Sequence, residues 1–291
     1  MSQTQSVVNR TVQRIPPQAW FAASAIFHYL GPSFAVLLFP AVGVLGTAWL
    51  RIASAAAVFA PVTRPWRLLA RIGARERWFL LAWGTALAVM NVSFYLAIAR
   101  LPLGLVAAIE FLGPVALALY GLRTGRNTLA LLLAVAGVLI LVRIRWATDA
   151  IGFLWAFLDA LLFIVYIVFG HRVARSGAGS GIEGLGAAMA IAFVVIFPVG
   201  FAEAAKTFAQ PALLLAGVGV GICSSVIPYV CDQIVMARIS RASFALMLSL
   251  LPAYAAVIGA IVLRQVPSAH DLLGIVLVMG GVALHRSGPS P

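Results

Sequence analysis

Of 291 residues, 63% are hydrophobic and only 10% are charged, with a mean hydropathy of +1.06. No water-soluble domain of this length could cover so much apolar surface with so few polar groups, so a soluble fold is excluded. The net charge of +12 is almost all arginine, Lys206 being the single lysine. On a soluble domain that excess would suggest nucleic acid. Here the arginines stand between apolar runs, where they orient a chain against the anionic cytoplasmic leaflet, and a nucleic-acid partner is not expected.

Met1 to Pro17 reads as a polar cytoplasmic tail carrying Arg10 and Arg14. Beyond it, apolar runs of about twenty residues recur, each bounded by Arg, Pro, Gly or Asp. They place spans near 18–38, 43–62, 77–98, 101–121, 127–145, 150–171, 184–202, 211–232, 241–263 and 270–286. With both termini cytoplasmic, fourteen basic residues lie on the inner side and five on the outer, with Arg51 left inside a span. That asymmetry obeys the positive-inside rule, and losing one span would scramble it. The expected fold is therefore an all-α polytopic membrane protein of ten helices.

The two halves of the chain echo each other. Ala99-Arg100-Leu101 to Pro114 is answered by Ala237-Arg238-Ile239 to Pro252, with the same interval from arginine to proline. Five spans per half is an odd number, so the second copy must insert upside down. This divides the chain into a tail (1–17), a first five-helix repeat (18–146), a second (147–286) and a short C-terminal tail (287–291). Inverted repeats are common in secondary transporters, whose binding sites lie near mid-membrane between the copies.

The ionisable residues inside spans are the candidates for chemistry. Glu110 sits in Ala99–Leu119, about 13–15 Å from either end of its span, with a Gly113-Pro114 break just after it. A carboxylate there is costly unless it faces a partner, a bundle interior or water. It is either a proton acceptor or ammonium ligand, or a structural acid held by Arg51 or by amides at the break. Arg51, the basic residue nearest a span centre, needs carboxylates or carbonyls; Glu110 and Asp159 are its expected partners, and Ala48 and Ala55 on its face allow a close neighbour. Asn91 and Tyr95 share a helix face at i,i+4, suiting a cavity for a small zwitterion or interhelical hydrogen bonds. Asp159 and Tyr166 share a face of the sixth span, where Trp155 also lies. Tyr229 and Asp232 follow Pro228, and Asp232 is expected to be a solvated cap to Arg238 or Arg241. His28 is expected to be a helix-packing histidine. Gly31-Pro32, Gly113-Pro114, Pro198, Pro228 and Pro252 mark possible breaks, where backbone groups are freed at membrane depth.

Several chemistries are not expected. Cys223 and Cys231 lie two helical turns, about 12 Å, apart in one span and cannot form a disulfide with each other. The four histidines have no metal-ligand spacing, HExxH is absent, and no GxxxxGK[ST] is present. No cofactor, metal or catalytic residue is called for.

At MNVSFYLAIARLPLGLVAAIEFLGPVALAL (Met90 to Leu119) the sequence resembles the drug/metabolite transporter superfamily, EamA-type, and within it the threonine/homoserine exporter family. The likeness extends to FPAVGVLGTAWLRIA around Arg51, to Tyr166–Arg172, to Ile227-Pro228-Tyr229 with Asp232, and to LMLSLLPAYAAV, so it covers nearly the whole chain. It implies a ten-helix carrier of the inner membrane with two inverted halves, exporting small amino acids such as threonine and homoserine against a proton gradient. The positions matching the family are Glu110, Asn91, Tyr95 and Arg51. The chain also departs from the family pattern. Leu251-Pro252 stands where an acid commonly precedes the proline, Arg264-Gln265 where the span commonly ends in Gly-Glu, and Phe163 where a tryptophan is usual. An exporter of aromatic or drug-like compounds is the alternative substrate reading; a membrane enzyme or scaffold is the alternative class. Whether the carrier is a monomer or a dimer is open.

Overall fold

The protein is described by a computed structural model covering residues 15–284, apart from 122, 146–148, 176–180, 237, 240–243, 245 and 246. Most of the N-terminal tail, the C-terminal tail, Arg241 and the start of the ninth expected span lie outside the described residues. The described helices are α1 (Pro17–Val42), α2 (Val44–Thr63), a short α3 (Pro65–Arg71), α4 (Ala74–Ile98), α5 (Leu103–Glu110), α6 (Leu112–Gly121), α7 (Gly125–Arg145), α8 (Ala150–Arg175), α9 (Gly181–Ala204), α10 (Pro211–Gly221), α11 (Ile227–Met236), α12 (Leu251–Leu263) and α13 (Ala269–Leu284). A 3₁₀ turn (Ala205–Ala209) follows α9, and a π-helical turn (Ile222–Val226) joins α10 to α11.

Among the described residues, six helical stretches are long and apolar enough to cross a membrane, and four shorter apolar ones accompany them. Their polarity runs opposite to that of a soluble protein. Leu37, Val62, Val194, Leu215 and Ile261 are more than half exposed, whereas Ala25, Ala55, Ala108, Ser33 and Thr47 are sealed inside. In lipid there is no hydrophobic force to draw large side chains inward, so helices associate through small residues and polar contacts. The chain is a multi-pass membrane protein.

Two sequence expectations need correcting. Pro32, Pro40, Pro61 and Pro198 lie inside continuous helices, so α1 and α9 are not broken where breaks were possible. The span containing Glu110 does break, but at Phe111 rather than at Gly113-Pro114. The reason is local. Pro114 has no N–H for the carbonyl four residues back, and its ring crowds that carbonyl, which belongs to Glu110. The interruption therefore falls one turn ahead of the proline.

Helix ends are closed by side chains from other elements. Gln265, just after α12, accepts a 3.0 Å hydrogen bond from the Leu103 N–H that opens α5. Glu203, at the end of α9, accepts one of 2.9 Å from Gly46 N–H in the first turn of α2. Gly43 precedes that turn with φ +92°, and a Cβ there would strike the Glu203 carboxylate. Ser268 and Asp271 form a reciprocal capping box on α13. Across the molecule α13 packs on α7, α4 on α8, α2 on α9, α1 on α11 and α12, and α5 on α12 and α8.

Candidate functional site

Three helix irregularities interrupt the described spans, and two of them adjoin Arg51. The first is the interruption at Phe111. The second is the π-helical turn at Ile222–Val226, which lies one turn ahead of Pro228 for the same reason as above: Pro228 leaves the Ser224 carbonyl without its helical donor. The third is the turn at Ser249-Leu250, one turn ahead of Pro252. Irregular backbone at membrane depth is tolerated where other groups satisfy it or where it lines a polar cavity.

Arg51 is 6% exposed. Its Nε donates to Ser225 Oγ at 3.2 Å, and its guanidinium lies 5.3 Å from the centroid of the Tyr95 ring. Glycine makes this meeting possible at two points. A Cβ at Gly221 would overlap Ser54 Oγ and come within 2.7 Å of the Arg51 carbonyl; one at Gly31 would overlap Ser224 Oγ and its backbone. Thus α1 and α2 both press against the π turn because neither contact carries a methyl group between them.

Arg51 was expected to pair with Glu110 or Asp159, and it forms a salt bridge with neither. Yet both carboxylates lie within electrostatic reach of it. The stack on Tyr95 contributes about 2 kcal/mol when desolvated, and the bond to Ser225 roughly 1.5–3 kcal/mol. Removing a guanidinium from water costs several kcal/mol after relaxation. These two contacts only about offset that cost, so the site leaves its cation available for another anion.

Glu110 ends α5 at the interruption and is 9% exposed. Asp159 on α8 is 1% exposed, and neither of its oxygens has a hydrogen-bond partner. The two acids are brought together by close packing of α6 on α8: a Cβ at Gly113 would stand 2.9 Å from the Ala160 carbonyl. Further up the same pair of segments, Gly152 packs on Leu101, so α5 and α8 run in the same direction with Glu110 and Asp159 near one level. Tyr29 from α1, fully buried and with an unpartnered hydroxyl, faces both acids.

The other expected residues divide into two groups. Tyr95 stands in the centre, with Phe39 5.7 Å from its ring. Asn91, on the same face, is 5% exposed and turns its side-chain amide back to the Leu87 carbonyl at 2.8 Å. Tyr166 and Tyr229 form a second, aromatic layer. Their phenols meet across the bundle, with Trp83 and Phe163 against Tyr166 and Phe59 against Tyr229. Asp232 is a correction: it accepts a 2.6 Å bond from Ser24 Oγ on α1, while Arg238 donates to the Ile15 carbonyl. His28 lies edge-on to Tyr29 at 5.0 Å, as a packing residue. Sequence reading missed Ser224, Ser225 and Tyr29. A Cys-Ser-Ser run four residues ahead of an in-span proline was the available signal for the two serines. A separate cavity of about 380 Å³, lined by Leu69, Arg77, Trp78 and Ile191, lies away from these residues.

Comparison with known proteins agrees with this architecture. Residues 150–286 match the EamA-like transporter family. The chain is 32% identical over 252 residues to the threonine/homoserine exporter RhtA of Salmonella typhimurium, covering 86% of this chain and 84% of that protein. It is likewise 32% identical over 248 residues to RhtA of Escherichia coli K12, covering 84% and 82% respectively. A solved crystal structure with 18% identity superposes with a TM-score of 0.57 over 92% of this chain and 97% of its own, a likeness of fold.

Proposed function

The chain belongs to the EamA-like transporter family, and we propose that it works as a secondary active exporter of small amino acids of the threonine and homoserine type. The observation that carries this reading is the group of Arg51, Glu110 and Asp159, buried at mid-bundle without a salt bridge among them. A zwitterion supplies a carboxylate for Arg51 and Ser225, and an ammonium for Glu110, the acid with surface still accessible. Tyr95 and Asn91 bound that space. The names of the relatives support the substrate class.

Ten spans in two inverted five-helix halves, 18–146 and 147–286, accommodate this site. The helix pairing supports the arrangement. Exchanging the halves turns the α4–α8 contact into α1–α11, and α6–α8 into α1–α12, while α2–α9 and α7–α13 exchange into themselves. Rocking one half against the other opens the site to each side in turn, with both termini in the cytoplasm and a proton moving inward as substrate leaves. The aromatic layer of Trp83, Phe163, Tyr166 and Tyr229 favours a second reading, export of aromatic or drug-like metabolites.

Uptake into everted membrane vesicles, loaded acidic inside and offered a panel of labelled amino acids, tests both. Threonine and homoserine should accumulate, and Glu110→Gln should abolish the accumulation. Unchanged threonine flux in Glu110→Gln overturns the role given to that acid. Flux of aromatic compounds alone favours the second reading, and no amino-acid flux overturns the first.

A further inference from the structure

The two central acids differ in one respect that their sequence positions do not reveal. Glu110 stands at a helix interruption with part of its surface still accessible, whereas Asp159 is sealed inside α8 with both oxygens unpartnered. An ionised carboxylate cannot stay in such a place without a partner, so it is either neutral or bound by a cation that approaches it. Arg51 on α2, Glu110 on α5 and the Tyr29 phenol on α1 lie within electrostatic reach of it. Tyr95, Asn91 and Ser93 are buried polar side chains of α4, which also packs on α8, and its charged Arg75, Glu76 and Arg77 stand in its first turn.

We propose that the two acids divide the work: Asp159 carries the exchanged proton and Glu110 receives the substrate ammonium, with Arg51 moving between them. This rests on the exporter reading above. When the Asp159 carboxyl takes up a proton from the outer water, its O–H bond forms, its attraction for Arg51 disappears, and Arg51 swings to Glu110. Glu110 is then occupied, and an ammonium reaches it only by displacing the guanidinium. When that O–H bond breaks and the proton leaves to the cytoplasmic water, ionised Asp159 draws Arg51 back. Glu110 is freed for an ammonium arriving from the cytoplasm. Proton and substrate thus exclude one another, as exchange requires, and one proton enters for each substrate that leaves. The contact of Arg51 with Tyr95 and Ser225, bonded to neither acid, is the resting point between the two swings. Asp159 also supplies an acid from the second half of the chain, where the ninth span carries Leu251 before its proline.

Purified protein in liposomes separates the two roles. Threonine counterflow, with threonine on both sides and no pH gradient, needs only the substrate site; net threonine flux driven by a pH gradient needs the proton site as well. Asp159→Asn, which fixes this side chain in its neutral form and leaves Arg51 on Glu110, should lose gradient-driven flux by at least about tenfold and bind threonine more weakly, with counterflow recovered only at saturating threonine, whereas Glu110→Gln should lose both at any concentration. Threonine added to wild-type protein in weakly buffered detergent should release a proton, and added to Asp159→Asn should release none while still raising its melting temperature. Gradient-driven flux that survives in Asp159→Asn overturns the inference. So does an Asp159→Asn protein that folds but neither exchanges threonine nor is stabilised by it, since Asp159 would then belong to the substrate site. Wild-type protein that exchanges no amino acid overturns the exporter reading itself.

Discussion

The interruptions at Phe111 and at Ser249-Leu250 are the same backbone device used twice. Phe111 lies eleven residues after Arg100, and Ser249 eleven after Arg238. Phe111 has φ −72° and ψ −9°; Leu250 has φ −81° and ψ −13°. Each precedes a proline that strips the helical donor from a carbonyl one turn earlier. The side chains at the two breaks are unlike: the first offers Glu110, and its sequence counterpart in the second half is Leu248. Backbone symmetry thus comes from proline, while charge is confined to one side. The acid that balances the site comes instead from Asp159 on α8.

The strongest way to break this comparison is to remove its cation. Arg51→Met should cut threonine transport by about a hundredfold, roughly 2.7 kcal/mol. Its melting temperature in detergent should not fall, because a well-packed hydrophobe often replaces a buried charge without loss of stability. A large drop in melting temperature would instead assign Arg51 a structural role.

Moving the acid from one break to the other sharpens the comparison. Glu110→Gln combined with Leu248→Glu should remain as inactive as Glu110→Gln alone, since Glu110 is the position within electrostatic reach of both Arg51 and Asp159. Recovery of flux in the double variant would mean the two breaks are equivalent.

Gly31→Ala places a methyl group against the backbone of Ser224. It should destabilise the protein by about 1–3 kcal/mol, as overpacking does, and displace Ser225 from Arg51; thermal unfolding together with threonine counterflow measures both. Pro114→Ala returns a donor to the Glu110 carbonyl and should join α5 to α6, with some gain in stability and loss of transport. Pro252→Ala should likewise return a donor at the second break, with a smaller loss of transport because Leu248 rather than an acid stands there. The smallest effect is expected of Arg100→Ala. Its 3.4 Å pair with Asp149 is exposed, so its loss should cost about 0–1 kcal/mol, less in high salt, and leave flux unchanged.

Particular residues mark how far reading along the chain could go. Glu110 was legible because depth in a span follows from counting apolar residues, and the break beside it because proline chemistry acts over four residues. Its position was misjudged by less than a turn, since the residue that loses its partner is the one preceding the proline by four. Asp232 was misread because nothing in its own segment announces Ser24, more than two hundred residues earlier. Arg51 was singled out as the basic residue deep in a span but given Glu110 and Asp159 as partners in place of Ser225 and Tyr95, and Ser224 and Ser225 were passed over. Their importance depends on Gly31 and Gly221, which look like ordinary small residues until two helices are laid against them.

Composition, hydropathy and the spacing of proline, all local or additive along the chain, were enough to determine membrane residence and where proline interrupts the apolar helices. Which charge stands beside which hydroxyl was decided only when helices from both halves came together. In lipid, that choice is made by the close fit of small residues across helix pairs, and such a fit has no signature along a single stretch of sequence.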